Sequence, residues 1–285
     1  MRPLIGIVSR VEYPGDTDKL VVNDEYRRAI IDCGGNPFLI LPSQIIDYGS
    51  TKGRDIPSLL DEEKSMILKQ LELCDGILMP GGFKMLEYDF FILDYAIKNN
   101  VPILGICLGM QIMANYKRDV WNEKNDPNGL CHRVESGELV HFVDVDVDSK
   151  LYSIIGEHHF KVNSLHNFHA LASDYYNTVC YSEDGLIEGI EYSSNDFNIG
   201  VQWHPEKNYK TDSVSRRILN SFILHSVSYM DSKKKVIYQW DKKYMDKIKL
   251  YCYNTFEYFG TPCQFIGHMS KRRCYNEKIW NYVYS

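Results

Sequence analysis

The sequence predicts a doubly wound α/β fold, a mostly parallel sheet flanked by helices, carrying a basic C-terminal extension. Two observations predict it. Short apolar runs alternate with helix-length amphipathic stretches through the first half of the chain, the pattern of a parallel sheet covered on both faces. The last 55 residues then change in character, becoming rich in Lys and Tyr.

The elements follow in order. Leu4–Val8 reads as a buried strand. Asn23–Cys33 places Tyr26, Ile30 and Cys33 on one helical face, and Gly34-Gly35 provides a stop. Pro37–Leu41 is a second strand, a polar loop follows, and a helix is expected near Glu62–Leu73. Gly76–Met79 is a strand, Phe90–Lys98 a helix, Val101–Ile106 a strand and Leu108–Tyr116 a helix. The second half is strand-rich, with Leu139–Val147, Phe160–Val162, Leu186–Tyr192 and Asn198–Trp203, before a closing helix over about Ser213–Tyr229. Two domains are expected: residues 1–230 as the main unit and 231–285 as a partly helical extension, with helices near Lys242–Phe259.

The bulk numbers narrow the class. Across 285 residues, 44% are hydrophobic and 25% charged, ordinary for a globular protein. No apolar run approaches the roughly 20 residues that span a bilayer, and the N-terminus reads as a strand rather than a signal peptide, so a cytoplasmic location without membrane contact is expected. The eight cysteines form no C-x-x-C pair and read as reduced thiols. The net charge is −6, but from Asp231 onward eleven Lys/Arg face five Asp/Glu, a net of +6, which leaves −12 on residues 1–230. Lys233–Lys235 and Lys271–Arg273 sit among aromatics. Docking against the acidic main unit, or a solvated face, is expected there in preference to nucleic acid.

The most informative segment is Ile103-Leu104-Gly105-Ile106-Cys107-Leu108-Gly109, an apolar strand entering Gly-x-Cys-x-Gly and then a helix. A cysteine between glycines is, on its own, as readily a small buried filler as a nucleophile. Strand before and helix after instead match a nucleophile elbow, with a thiol at the carboxyl end of the sheet and at a helix N-terminus that favours thiolate. Gly200-Val201-Gln202-Trp203-His204-Pro205-Glu206 supplies a second element. In extended chain His204 and Glu206 share a face, and a carboxylate beside a histidine orients the ring and stabilises its imidazolium. Asp75–Gly82 is a strand ending in Pro-Gly-Gly, either a plain turn or a place where the amides of Gly82 and Leu108 hold an oxyanion.

In this order the pieces resemble the class I glutamine amidotransferases, most nearly the free-standing γ-glutamyl hydrolases of the γ-glutamyl-γ-aminobutyrate hydrolase kind. The carrying motifs are Arg2–Ile7, Asp75–Gly82, Gly105–Gln111, Val162–His166, Asp184–Glu188 and Val201–Glu206, spread over about residues 1–230. The resemblance implies that Cys107 attacks a γ-glutamyl amide, His204 shuttles the proton and Glu206 orients it. It further implies an oxyanion hole of Gly82 and Leu108 amides, substrate contacts from Gly81, Gln111, His166, Asn167 and Phe168, a thioester intermediate, and no cofactor. The chain departs from those hydrolases at Tyr116–Asn122, at Asn167-Phe168 and at Leu108 after the nucleophile. All three departures lie toward the leaving amine.

The resemblance leaves three readings: a hydrolase releasing glutamate and an amine, a glutaminase passing ammonia to a separate synthetase, and a non-catalytic regulator that binds a glutamyl ligand. The intact Cys107, His204 and Glu206 argue against the last. The oligomeric state is open, and a dimer is compatible with it. No metal is expected: Asp144-Val-Asp146-Val-Asp148 lacks the glycine and closing Glu of a calcium loop, and no Cys or carboxylate pattern joins His158-His159 or His166-x-x-His169 to make a zinc site.

Overall fold

The structure is a computed structural model that describes residues 1–12, 19–48, 57–118, 122–126 and 129–235. Met1–Ser232 form one compact unit and Lys233–Ser285 a second, of which only the helical residues 233–235 are described. The expected helices near Lys242–Phe259 and the Lys271–Arg273 cluster lie outside the described residues, as do residues 119–121.

The chain begins as expected with β1 (Leu4–Val8), then makes a ribbon of β2 (Arg10–Glu12) and β3 (Lys19–Val21). It continues through α1 (Asp24–Asp32), β4 (Asn36–Ile40), α2 (Asp61–Leu71), β5 (Gly76–Met79), α3 (Glu87–Lys98), β6 (Ile103–Ile106) and α4 (Leu108–Ala114). The second half holds β7 (Glu123–Lys124), β8 (Leu139–Val145), α5 (Lys150–Ile155), β9 (His159–Asn163) and β10 (Phe168–His169). After these come β11 (Asn177–Ser182), β12 (Ile187–Glu191), β13 (Asn198–Val201) and α6 (Pro205–Asn208), and residues 213–235 are helical.

Nine of these strands make one mixed sheet in the order β4-β1-β5-β6-β13-β12-β11-β8-β9. From β4 to β13 the pairs are parallel, and from β13 to β9 antiparallel. Every residue of β5, β6 and β13 is buried, as expected where helices cover both faces. Alternation along each strand divides the core accordingly. Leu78 and Leu104 join one hydrophobic cluster with Ile30, Ile218 and Phe222. Ile77, Met79 and Ile103 join another with Ile67, Ile92 and Met113. The fold is thus the α/β class the sequence predicts.

Two features refine it. α3 starts at Glu87, a turn earlier than expected, because the Asp89 carboxylate accepts from the Leu86 N–H at 2.9 Å and caps the helix. The short α5 is held at its start by Ser149 Oγ, which accepts from Tyr152 N at 2.9 Å, and ends on Gly156 at φ 71°. Of the Asp144–Asp148 alternation only the exposed Asp144 and the buried Val145 belong to β8; residues 146–148 lead through a turn into α5 with Val147 exposed, so the strand expected over Leu139–Val147 stops at Val145.

Candidate active site

Cys107 stands between β6 and α4 at φ 53°, ψ −107°. A non-glycine residue is strained there by about 1–3 kcal/mol, which packing must offset. The flanking glycines show how. A Cβ on Gly105 would strike Met113 Sδ and come within 2.8 Å of the Gly109 backbone. A Cβ on Gly109 would strike the Met79 carbonyl oxygen. β5, β6 and α4 therefore close on one another only because both positions lack a side chain. The Cys107 N–H donates to Val201 O at 2.8 Å, tying the elbow to β13.

β13 leads to the histidine. His204 caps the start of α6, and its Nδ1 lies 2.6 Å from Glu206 Oε1. His204 is 6% exposed and Glu206 2%, so their interaction is shielded from water. Burial alone would depress the His204 imidazolium. The negative charges of Glu206 and then Cys107 outweigh it and push the pKa up to about 10. Asn163 at the end of β9 grips the same residue from the other side: His204 N donates to Asn163 Oδ1, and Asn163 Nδ2 donates to His204 O, each at 2.8 Å. This clamp fixes the peptide on which the imidazole is mounted.

Gly81 is where the parts meet. A Cβ there would lie 3.0 Å from His204 Cε1, 3.0 Å from Tyr26 Oη and 3.4 Å from Cys107 Cβ. The sequence-predicted cysteine and histidine are thus brought against one backbone position. Tyr26, on α1, accepts the Gly81 N–H at 2.9 Å. Burial, and after it the charges of Glu206 and Cys107, push its phenol well above the ordinary range, so it remains protonated. Gly82 abuts the Leu108 side chain, its hypothetical Cβ 3.1 Å from Cδ2. Leu108 is the first residue of α4, where an N–H has no acceptor within its own helix.

Arg10 of β2 braces the Pro80–Gly82 turn: its Nε donates to Pro80 O at 3.1 Å and its Nη1 pairs with Asp89, which is wholly buried. Sequence reading alone passed over Tyr26, Arg10, Asp89 and Asn163. Of these, Asn163 is part of the Val162–His166 motif and Tyr26 is read only as a residue on one face of its helix.

The expected substrate contacts fare differently. Gln111 is buried and its amide is already engaged, Nε2 donating to Phe168 O at 2.8 Å and to Gln202 Oε1 at 3.0 Å, while Oε1 accepts from Asn122 at 2.7 Å. Gln111 and Phe168 are thus joined, through a side chain and a carbonyl. Asn167 and Phe168 are exposed, Phe168 within the β7–β10 ribbon opposite Lys124 and Asn167 just before it. His166 is buried, with its Nε2 3.4 Å from Glu188 Oε1. The sequence-adjacent His158 and His159 are on the surface, facing Asp144. Among the described residues, no helix is long and apolar enough to cross a membrane.

The peptidase C26 family model matches residues 86–206. The γ-glutamyl-γ-aminobutyrate hydrolase PuuD of Escherichia coli K12 is 28% identical, over 82% of this chain and 97% of that protein. The putative glutamine amidotransferase PB2B2.05 of Schizosaccharomyces pombe is 32% identical, over 72% of this chain and 82% of its own length. The glutaminase domain of the Trypanosoma brucei CTPS, solved with bound acivicin, shares the fold with a TM-score of 0.52 at 19% identity, covering 79% of this chain and 94% of that one.

Proposed function

The chain belongs to the peptidase C26 family of class I glutamine amidotransferase-like proteins, and on that premise we propose that it hydrolyses a γ-glutamyl amide through Cys107, His204 and Glu206. Family membership makes it a C–N hydrolase, of γ-glutamyl amide hydrolase or glutaminase-like type. The observation that carries the finer reading is the strained Cys107 elbow meeting His204 at Gly81, with Glu206 2.6 Å behind the imidazole.

In this reading the resting pair is a thiolate and an imidazolium. Cys107 Sγ adds to the γ-carbonyl carbon, and the oxygen takes up negative charge facing the N–H groups of Gly82 and Leu108. His204 gives its Nε2 proton to the departing nitrogen, the C–N bond breaks, and the amine leaves behind a γ-glutamyl thioester. Water then attacks the thioester while His204 takes its proton. The C–S bond breaks, glutamate leaves, and sulfur returns as thiolate beside the renewed imidazolium. Glu206 remains ionised throughout and holds the ring in place.

Gln111 acts in this reading by holding the Phe168 carbonyl, so that Asn167 and Phe168 form the wall that the substrate meets, with His166 supporting it from behind. Gly81 lines the floor beside the nucleophile. The exposed Phe83, directly after Gly82, offers an apolar contact to the leaving amine. The test is a panel of γ-glutamyl amides, glutamine included, with glutamate and amine release measured for the chain alone. Release from at least one amide, abolished in a folded Cys107→Ala variant, is expected. Turnover of glutamine alone, and only with a synthetase present, would replace the reading with that of an ammonia-delivering partner. No turnover of any amide under either condition would leave a ligand-binding regulator.

A further inference from the structure

Away from Cys107, three histidines converge on one carboxylate. Glu188 of β12 is 0% exposed, and neither of its oxygens has a hydrogen-bond partner among the described residues. Around its Oε1 stand His166 Nε2 at 3.4 Å, His132 Nδ1 at 3.5 Å and His141 Nε2 at 3.7 Å. All three histidines are at most 4% exposed. The ligand atoms of His132, His166 and Glu188 lie within 4.8 Å of one another.

The outer hydrogen bonds decide what these atoms are. His132 Nε2 lies 3.0 Å from Asp184 Oδ2, His166 Nδ1 3.1 Å from Phe168 O, and His141 Nδ1 3.2 Å from Phe142 O. Each of these partners is an acceptor, so each ring nitrogen facing it carries the proton, and the other nitrogen of the neutral ring turns a lone pair toward Glu188. Two donors stand nearby without reaching Glu188: Ser164 Oγ donates to His132 O at 3.0 Å and lies 3.3 Å from His132 Nδ1, and Asn125 Nδ2 donates to His166 O at 3.1 Å and lies 3.3 Å from His166 Nδ1. Both Glu188 oxygens and the inward nitrogens of His141 and His166 are thus buried without hydrogen-bond partners among the described residues, an arrangement that is costly unless a cation fills it.

We propose that His132, His166 and Glu188 bind one zinc-type divalent transition-metal ion, with His141 packed beside them. With bonds of about 2.1 Å, the edge of a tetrahedral site is roughly 3.4 Å, close to the 3.4 and 3.5 Å that separate Glu188 Oε1 from His166 Nε2 and His132 Nδ1. Histidines whose other nitrogen donates to a carboxylate or a backbone carbonyl are the usual companions of such an ion. The nitrogen-rich donor set favours zinc or a neighbouring ion over magnesium or calcium, which take oxygen ligands. The charges agree as well: a dication would neutralise the buried Glu188, with the exposed Asp184 carboxylate behind His132. The ion would staple the segment before β8, which carries His132, to the segment after β9, which carries His166, and both to the antiparallel half of the sheet. The inference is independent of the amide-hydrolase reading.

The experiment uses the full-length chain without a histidine tag. Chelator-treated protein, its fold checked by circular dichroism, is titrated with Co²⁺ and with Zn²⁺, and the zinc-loaded form is measured by X-ray absorption. One equivalent per chain, tetrahedral Co²⁺ d–d bands and a nitrogen/oxygen shell are expected. The metal should persist in Cys107→Ala, and Zn²⁺ affinity should fall at least ~10-fold in Glu188→Gln and in His166→Asn. Folded parent protein that takes up no Co²⁺ would overturn the proposal, and protons would then occupy the cluster. So would sulfur in the shell, or undiminished Zn²⁺ affinity in both variants.

Discussion

Replacing Glu206 by Gln keeps the shape of the side chain and removes its charge. In the parent, His204 is held protonated to about pH 10, burial opposing and Glu206 contributing the largest of the favourable charges. An opposite charge this close shifts a titration by roughly 1–3 pH units, so the alkaline limb of kcat/KM should move down by about that much. The rate on a good amide should also fall, by roughly 10²–10⁴, because the ring loses its orienting partner and the leaving nitrogen its proton. Stability carries the same signature. The folded value lies above the unfolded value near 6.5, so the parent binds the extra proton only when folded. Its contribution is complete below pH 6.5 and is lost as pH rises through about 10. A single fully buried group of this kind is worth on the order of 5 kcal/mol at most. Urea melts at several pH values, beside pH–rate profiles, measure both effects. The parent should lose stability across that window and Glu206→Gln should lose much less. An unchanged alkaline limb together with an unchanged stability slope would refute the assignment of Glu206 as the charge that governs His204.

Three further substitutions test the supports of the site. Asn163→Ala removes both hydrogen bonds to the His204 peptide and strands two buried backbone groups at about 1–3 kcal/mol each; a urea melt within 0.5 kcal/mol of the parent would show that the clamp contributes nothing. Arg10→Ala leaves the wholly buried Asp89 without its partner and should cost about 3–5 kcal/mol, read by thermal denaturation; a loss below 1 kcal/mol would mean that the pair does not brace the turn. Gly109→Ala drives a methyl into the Met79 carbonyl and should cost roughly 1–3 kcal/mol of stability along with most of the turnover. Full activity would mean that the elbow tolerates movement.

The parallel half of the sheet is legible in the sequence because strands covered on both faces read as unbroken apolar runs, and Gly76–Met79 and Ile103–Ile106 are such runs. The elbow is legible because its backbone demands glycine at 105 and 109, and a demand on the backbone leaves a mark on the sequence. The β11 strand is harder to read: Asn177 to Ser182 mixes polar and apolar residues, and bulges interrupt its pairing with β12. Long-range polar pairs leave no local mark. Nothing around Arg10 announces Asp89, 79 residues on, and nothing around Asn163 announces a clamp on His204. The histidine cluster is hidden for the same reason. Sequence reading weighs the adjacent His158-His159 and the near neighbours His166 and His169, whereas the fold gathers His132, His141 and His166 from three separate segments around Glu188.

The claim underneath is that Cys107 is made reactive by His204 rather than by access to solvent, and the two differ sharply here. Cys107 is 7% exposed, while Cys131 is on the surface. Folded protein treated with a diazo-ketone analogue of glutamine, then digested and mapped by mass spectrometry, should carry one adduct, on Cys107, and His204→Ala should lose it. An adduct on Cys131 in its place, or labelling of Cys107 that persists without His204, would contradict the account.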